Sequence, residues 1–287
     1  MFNLMKFKYA FFAISLVIIL PGIYSLVRYG LNPSIDFTGG TLLELKNEKL
    51  TAENLTDLGV VQKTSSDSYL IRTKEIDTAA KDKIITDLTK RYGPTELLKF
   101  ETVGPVIGAE LTQKALQAIL IASIAIVLYI AYAFREIPKP YSSFKFGISA
   151  VVALLHDVLV LIGIFSLLGH YFNVEIDSLF VTAVLTVIGF SVHDTIVVFD
   201  RIRENLRKEG HKVSFEQAVN DSLAQTLVRS LNTSLTALFV MLAILLFGGE
   251  SIRTFALALF IGIFSGTYSS IFNAAPLLVI WEQKSKK

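Results

Sequence analysis

The 287-residue chain has no cysteine, so it holds no disulfide framework and offers no thiolate chemistry. Histidine and cysteine are both missing from the stretch 28–112, whose scattered charges suit a solvated surface and build nothing like a catalytic site. No small-residue A-x-A cleavage pattern follows the first apolar run, which reads as an uncleaved anchor and not as a signal peptide. The net charge of +2 says nothing about nucleic acid. Apolar residues, in contrast, are abundant. They make up 52% of the chain, and the mean hydropathy is +0.55, too apolar for an ordinary soluble domain.

Six apolar runs approach the roughly 20 residues that a membrane-spanning helix needs. They lie at about 9–27, 115–134, 147–168, 178–199, 233–248 and 255–281, and the fifth is short enough that its helix should begin before Asn232. Fourteen Lys and Arg residues, from Lys6 to Lys287 and including Arg229, fall on one side of the resulting topology; the short loops of the other side, 169–177 and 249–254, hold only Arg253. The positive-inside rule therefore predicts a multi-pass protein of the cell membrane with both termini cytoplasmic. A cysteine at Ser66 should then be labelled from outside, and one at Ser214 only from inside. The chain divides into an N-terminal segment with the first span (1–27), an extracytoplasmic domain (28–112) and a five-helix bundle (113–287).

The extracytoplasmic segment alternates between strand and helix patterns. TLLELK (41–46) places Leu43 and Leu45 on one face and Glu44 and Lys46 on the other. Thr51 fits a helix N-cap, Leu50 and Leu55 a hydrophobic staple, and Gly59 the stop. VVQK and SYLIRT, joined by TSSD, read as a hairpin. A second helix starts at Asp77, repeats apolar residues at Ala80, Ile84 and Leu88, and stops before Gly93-Pro94; ELLKFET is the last strand. The order β-α-β-β-α-β is that of a ferredoxin-like α+β domain. Just ahead of it, Asp36-Phe37-Thr38-Gly39-Gly40 reads as a turn with two permissive glycines.

Two His-Asp pairs stand inside apolar helices, His156-Asp157 and His193-Asp194. An Asp at the centre of a bilayer helix costs roughly 2.5–3.5 kcal/mol on insertion scales, so each needs a reason. Adjacent helical residues point about 100° apart, which makes it hard for each pair to aim both side chains at one metal ion. An aspartyl protease dyad would need Asp157 and Asp194 close enough to share a proton. Their depths, counted from the cytoplasmic helix ends, differ by about 7 Å, and the motifs of intramembrane aspartyl proteases are missing. A proton relay remains, alongside plain interhelical hydrogen bonding. Asp200, Arg201 and Arg203 read as a helix end with side chains reaching the interface. GIFSG (262–266) offers small residues for close helix packing.

DFTGG (36–40), VGPVIGAEL (103–111), LLHD (154–157), HDTIVVFDRIREN (193–205) and SLAQTLVRSLNTS (222–234) together resemble the SecF family, the smaller half of bacterial SecDF and a branch of the resistance-nodulation-division (RND) superfamily. The resemblance covers nearly the whole chain, with one helix, an outer domain and five further helices in order. It implies a non-enzymatic subunit that, with SecD, uses proton flow to promote export of a translocating polypeptide through the SecYEG channel and its SecA motor. No cofactor is implied. By the same resemblance, Asp194 is the proton-conducting carboxylate and Arg229 its basic companion. His193 stands where a well-known relative has Asn, so it could join the proton path or tune it. Asp36, Gly39 and Gly40 form the family motif of the first outer loop, while the resemblance gives His156 and Asp157 no role. An RND-type exporter of lipids or small molecules shares the half-unit plan, although the outer segment here is small for one.

Overall fold

The computed structural model of the chain describes residues 3–64, 67–209 and 212–285. Ser66 lies outside them. Among the described residues, six helical spans are long and apolar enough to cross a membrane. The chain separates into two compact units, residues 33–117 and residues 1–32 with 118–287.

The first unit in sequence to form a sheet is the smaller. A short helix α2 (Ile35–Thr38) follows the first span, α1 (Lys8–Tyr29), and leads into β1 (Gly40–Lys46). After a 3₁₀ turn at Glu53–Leu58 come β2 (Val60–Lys63), β3 (Tyr69–Thr73), α3 (Thr78–Tyr92) and β4 (Glu96–Val103). The strand order is β2-β3-β1-β4, with every neighbouring pair antiparallel, which is the split ferredoxin-like topology. Register follows the side-chain alternation: Leu43 opposes Ile71 and Phe100, and Leu43, Leu45 and Ile71 are fully buried. Asp77 caps α3 through Ala80 N, and Gly93 ends it. One element differs from expectation. The segment after Thr51 makes a 3₁₀ turn where an α-helix is predicted, although Leu50 and Leu55 are buried as a staple requires. Six residues before the stop at Gly59 leave too little chain to repay an α-helical nucleus.

The larger unit holds α1, most of α4 (Pro105–Ala133), α5 (Ser143–Phe172), α6 (Ser178–Glu209), α7 (Phe215–Phe247), α8 (Glu250–Ser269) and α9 (Ala275–Lys284). A five-residue π segment, Ser270–Ala274, joins α8 to α9 into one span. Pro276, just beyond it, has no N–H to give the preceding turn, and a widened turn accommodates that loss. The helices run past their apolar runs because their ends are amphipathic. The residues before Arg229 that are missing from the apolar run belong to α7 back to its cap, since Ser214 accepts a hydrogen bond from Gln217 N and the helix starts at Phe215. Arg229 therefore lies inside α7 and not at a helix start, and it drops out of the loop cations. Likewise α6 continues beyond Arg201 and Arg203. There Arg203 and Arg207 donate to the Ala133 and Glu136 carbonyls, which satisfies acceptors at the end of α4.

Burial separates the helices into a centre and a rim. The apolar window of the α8–α9 span is 61% buried and that of α6 50%, against 6% for α4 and 17% each for α1 and α7. In the centre α8 packs closely on α6, where Gly262 faces Val187 and Gly266 faces Ser191. The small residues of GIFSG serve that contact.

Candidate functional site

The polar centre of the bundle is built around Asp157, in the middle of α5 and fully buried. Its Oδ1 is hydrogen-bonded to His156 Nδ1 at 2.9 Å and accepts from Ser265 Oγ at 2.8 Å. Its Oδ2 accepts from Ser191 Oγ at 2.5 Å and from Ser269 Oγ at 2.6 Å. One carboxylate thus ties α5 to α6 and α8. Ser265 and Ser269 reach it together because residues four apart share a helix face. The neighbours His156 and Asp157, expected to diverge, meet through the ring nitrogen.

Asp194, in α6, is 3% exposed and very differently served. Its Oδ1 accepts a single hydrogen bond, from Ser230 Oγ of α7 at 3.2 Å. Its Oδ2 is buried with no hydrogen-bond partner among the described residues. A buried carboxylate oxygen left bare is costly unless something binds there, and a proton is the smallest candidate.

Behind Ser230 runs a file of hydroxyls. Ser222, Thr226, Ser230 and Ser234 recur every fourth residue on the buried face of α7. Each of Ser222, Thr226 and Ser234 donates to the carbonyl four residues earlier. Ser222 also accepts from Asn205 Nδ2 of α6, and Ser234 accepts from Thr267 Oγ1 of α8 at 2.6 Å. So α8 touches both carboxylate neighbourhoods: Ser265 and Ser269 serve Asp157, and Thr267 reaches the α7 file that holds Asp194.

His193 and Arg229 face outward. Both are exposed, and no hydrogen bond or ion pair joins Arg229 to Asp194. His193 extends an exposed stripe on α6 with Thr182, Thr186 and Gly189, at spacings of four and three; Arg229 begins a similar one on α7 with Asn232, Thr233 and Thr236. The threonines satisfy their hydroxyls within their own helices, which leaves His193, Arg229 and Asn232 as the polar groups of this face without such a bond.

The two membrane carboxylates are not a dyad. Asp157 is bonded to Ser191, which precedes Asp194 by three residues, a rise of about 4.5 Å along α6. The separation is smaller than the apolar runs suggest, because the helices are longer than those runs. Each carboxylate nevertheless has its own donors. The His-Asp pairs do not converge on one point either, since His193 is exposed while His156 bonds Asp157.

In the smaller unit, Asp36 lies in α2, and Gly39 and Gly40 follow with φ of 72° and 124°. A Cβ on Gly39 would stand 2.9 Å from Pro105 Cα, and one on Gly40 2.8 Å from Thr73 O. The motif is a close-packed corner where β1, β3 and the start of α4 meet, and Thr112 Oγ1 closes it on Phe37 O. Both the torsions and the contacts require glycine there.

Sequence reasoning found the carboxylates and passed over the serines that hold them. The signal was present as Ser or Thr at four-residue spacing inside apolar helices, at 222–234 and at 265–269.

Comparison with known proteins places these residues in a family. The family described as "Protein export membrane protein SecD/SecF, C-terminal" matches residues 84–284, and the "SecD/SecF GG Motif" matches residues 24–46, which include Gly39 and Gly40. Protein translocase subunit SecF of Thermobaculum terrenum is 49% identical, across 99% of this chain and 95% of the relative. Its counterpart in Anaerolinea thermophila is 45% identical, across 98% and 94%. The crystal structure of SecDF from Thermus thermophilus, a translocon-associated membrane protein, matches with a TM-score of 0.85 at 35% identity. The match covers 98% of this chain and 39% of that longer one. A SecDF structure described as the super-membrane-facing form matches with a TM-score of 0.73.

Proposed function

Because this chain belongs to the SecF family of protein-export membrane proteins, we propose that it forms one half of a proton-driven accessory machine for polypeptide export. It is a multi-pass membrane protein and a protein-transport subunit. Its other half is a SecD-like subunit; the two act on a polypeptide emerging from the SecYEG channel, which SecA drives. The chain carries no chemical step of its own, and it sits in the cytoplasmic membrane with both ends inside and residues 28–112 outside.

One observation carries the reading: a buried Asp194 whose Oδ2 has no hydrogen-bond partner among the described residues. That oxygen takes a proton when the site opens outward and releases it inward. Arg229 and Ser230 are neighbours on α7, and adjacent helical residues point about 100° apart. A rotation of α7 by one residue would exchange Ser230 for Arg229 beside Asp194. With the guanidinium alongside, Asp194 stays ionised; with Ser230 alongside, the dry surroundings favour the neutral acid. The α7 rotation would move α8 through Thr267 and Ser234, and α8 would pull on Asp157. The test is export of a reporter protein by membranes with and without a proton gradient. A gradient-dependent gain should vanish when the chain is removed; an undiminished gain sinks the reading.

The partner follows from the outward polar stripes. His193, Arg229 and Asn232 cannot face hydrocarbon cheaply, so a second set of helices covers them. The fused Thermus thermophilus relative, of which this chain spans 35%, carries a second half in one polypeptide. Purification in mild detergent should recover a SecD-like chain in equal amount. Thr186→Leu together with Gly189→Leu, on the α6 stripe, should reduce recovery at unchanged expression; full recovery would move the interface elsewhere.

Orientation has its own check. Ser214 caps α7, so Lys212 is the better inside probe, and Asp87, exposed on α3, replaces Ser66 as the outside one. Asp87→Cys should react with a membrane-impermeant maleimide in intact cells, and Lys212→Cys only after lysis. The reverse pattern would invert the topology.

A further inference from the structure

His156 and Asp157 have no part in the proton step above, yet their geometry is more specific than packing requires. The carboxylate of Asp157 takes two donors on each oxygen, from His156 and Ser265 on one and from Ser191 and Ser269 on the other. Each oxygen has two lone pairs, so the ionised carboxylate is filled. A protonated acid would need one of these four groups to turn from donor to acceptor. With the carboxylate ionised, His156 Nδ1 carries the hydrogen of their 2.9 Å contact. In a neutral ring the lone pair then sits on Nε2.

Nε2 is buried and has no hydrogen-bond partner among the described residues, and the side chain is 11% exposed. Tyr268 of α8 stacks over the ring at 6.4 Å, but its hydroxyl donates to the Phe11 carbonyl of α1 and is not available to Nε2. Asp157 and Tyr268 are the titratable groups in contact with the ring. From the other elements packed on α5, α6 brings Ser191, α1 brings Ser15, and the π segment brings Asn273, which is bonded to Ser15. Glu282 of α9 is occupied with Lys145 at the far end of α5. A carboxylate holding Nδ1–H and leaving Nε2 open is the arrangement that makes an imidazole a proton acceptor in hydrolase triads.

We propose that His156 is a second proton-accepting group of the bundle, with Asp157 as its positioning residue. Nε2 takes a proton from the aqueous phase through its lone pair, while Nδ1 keeps its own. The His156-Asp157 pair passes from a net charge of −1 to 0, and breaking the Nε2–H bond restores it. The charge change occurs at the junction of α5, α6 and α8, the helices that Asp157 ties together. The proposal rests on the proton-driven reading for its use in export, but not for its existence.

The experiment is ¹⁵N NMR of histidine-labelled protein, copurified with its partner in lipid nanodiscs, over about pH 5 to pH 9. His156→Gln assigns the His156 signals among the four histidines. In the neutral ring Nδ1 should appear as N–H and Nε2 as a bare imine, and acidification should convert Nε2 to N–H. Asp157→Asn should abolish the single-tautomer signal, because an amide can donate as well as accept. The pH profile of gradient-driven export should lose one ionisation in His156→Gln, which still donates to Asp157. A neutral ring protonated at Nε2, or a ring that does not titrate in this range, overturns the proposal. If His156 titrates as described while Asp194→Asn keeps its full response to the gradient, the second proton site stands and the Asp194 reading falls.

Discussion

Asp194→Asn is expected to abolish the gradient-dependent gain in export while leaving the chain folded and bound to its partner. Asparagine has the same shape, and its carbonyl oxygen can still accept from Ser230 Oγ, which lies 3.2 Å from Oδ1 of Asp194. The amide nitrogen that takes the place of Oδ2 is neutral, and a neutral amide is cheaper to bury than a carboxylate, so the fold loses little. What disappears is the ability to change charge. One charge crossing 100 mV supplies about 2.3 kcal/mol, a bias of about fifty-fold in a two-state equilibrium. Without a titrating group at the centre of α6, the gradient has nothing there to act on. Arg229→Met should be nearly as damaging, since the cation that would swing against Asp194 is gone. His193→Asn should be milder, because His193 points outward and the carboxylate remains. The measurement is reporter export with and without the gradient, alongside partner recovery. If the Asn variant still responds fully, Asp194 is a packing residue and the proton step lies elsewhere.

Much of this was legible in the sequence, for reasons that differ between the two units. The ferredoxin-like order was readable because TLLELK alternates and both helical segments stop at a glycine, as Leu43, Leu45, Gly59 and Gly93 illustrate. The first connection was misjudged because capping signals at Thr51 and Gly59 mark the ends of a helical turn without fixing its pitch. In the membrane part, hydropathy locates helices but truncates them. The amphipathic first turns of α7 hid the fact that Arg229 is an interior residue, and the truncation also exaggerated the depth difference between Asp157 and Asp194. The roles of those two residues could not be separated from composition, as both are Asp after His in an apolar helix. Their difference lies in donors brought from other helices: three for Asp157, besides its neighbour His156, and one for Asp194. Which serines arrive depends on helix rotation, which no single helix encodes.

The contact that sets that rotation can be tested by itself. Gly262→Ala is expected to be one of the most destabilising single substitutions in the bundle. The new Cβ would stand 2.1 Å from Val187 Cγ2, 2.7 Å from Cγ1 and 3.0 Å from Cβ. Val187 is 1% exposed and β-branched, so in a helix it has no second rotamer to retreat into. Either α8 withdraws from α6 or the valine is strained, at a cost of about 1–3 kcal/mol by the usual penalty for overpacking. Withdrawal would also stretch the bonds from Ser265 and Ser269 to Asp157, which α8 delivers at 2.8 Å and 2.6 Å. Gly266→Ala should cost less, as its Cβ would meet Ser191 at 3.2 Å. The decisive variant is the double one. Val187→Ala removes both clashing methyl groups and alone leaves a cavity, which is destabilising in its own right. Combined with Gly262→Ala, the added methyl enters the space the valine vacated. The pair should therefore be more stable than the sum of its singles, by a coupling of about 1–3 kcal/mol, in thermal unfolding of the detergent-solubilised complex. Simple additivity would mean that α8 and α6 do not depend on this contact. The close approach that brings Ser265 and Ser269 onto Asp157 would then have to be held by something other than the missing side chain at Gly262.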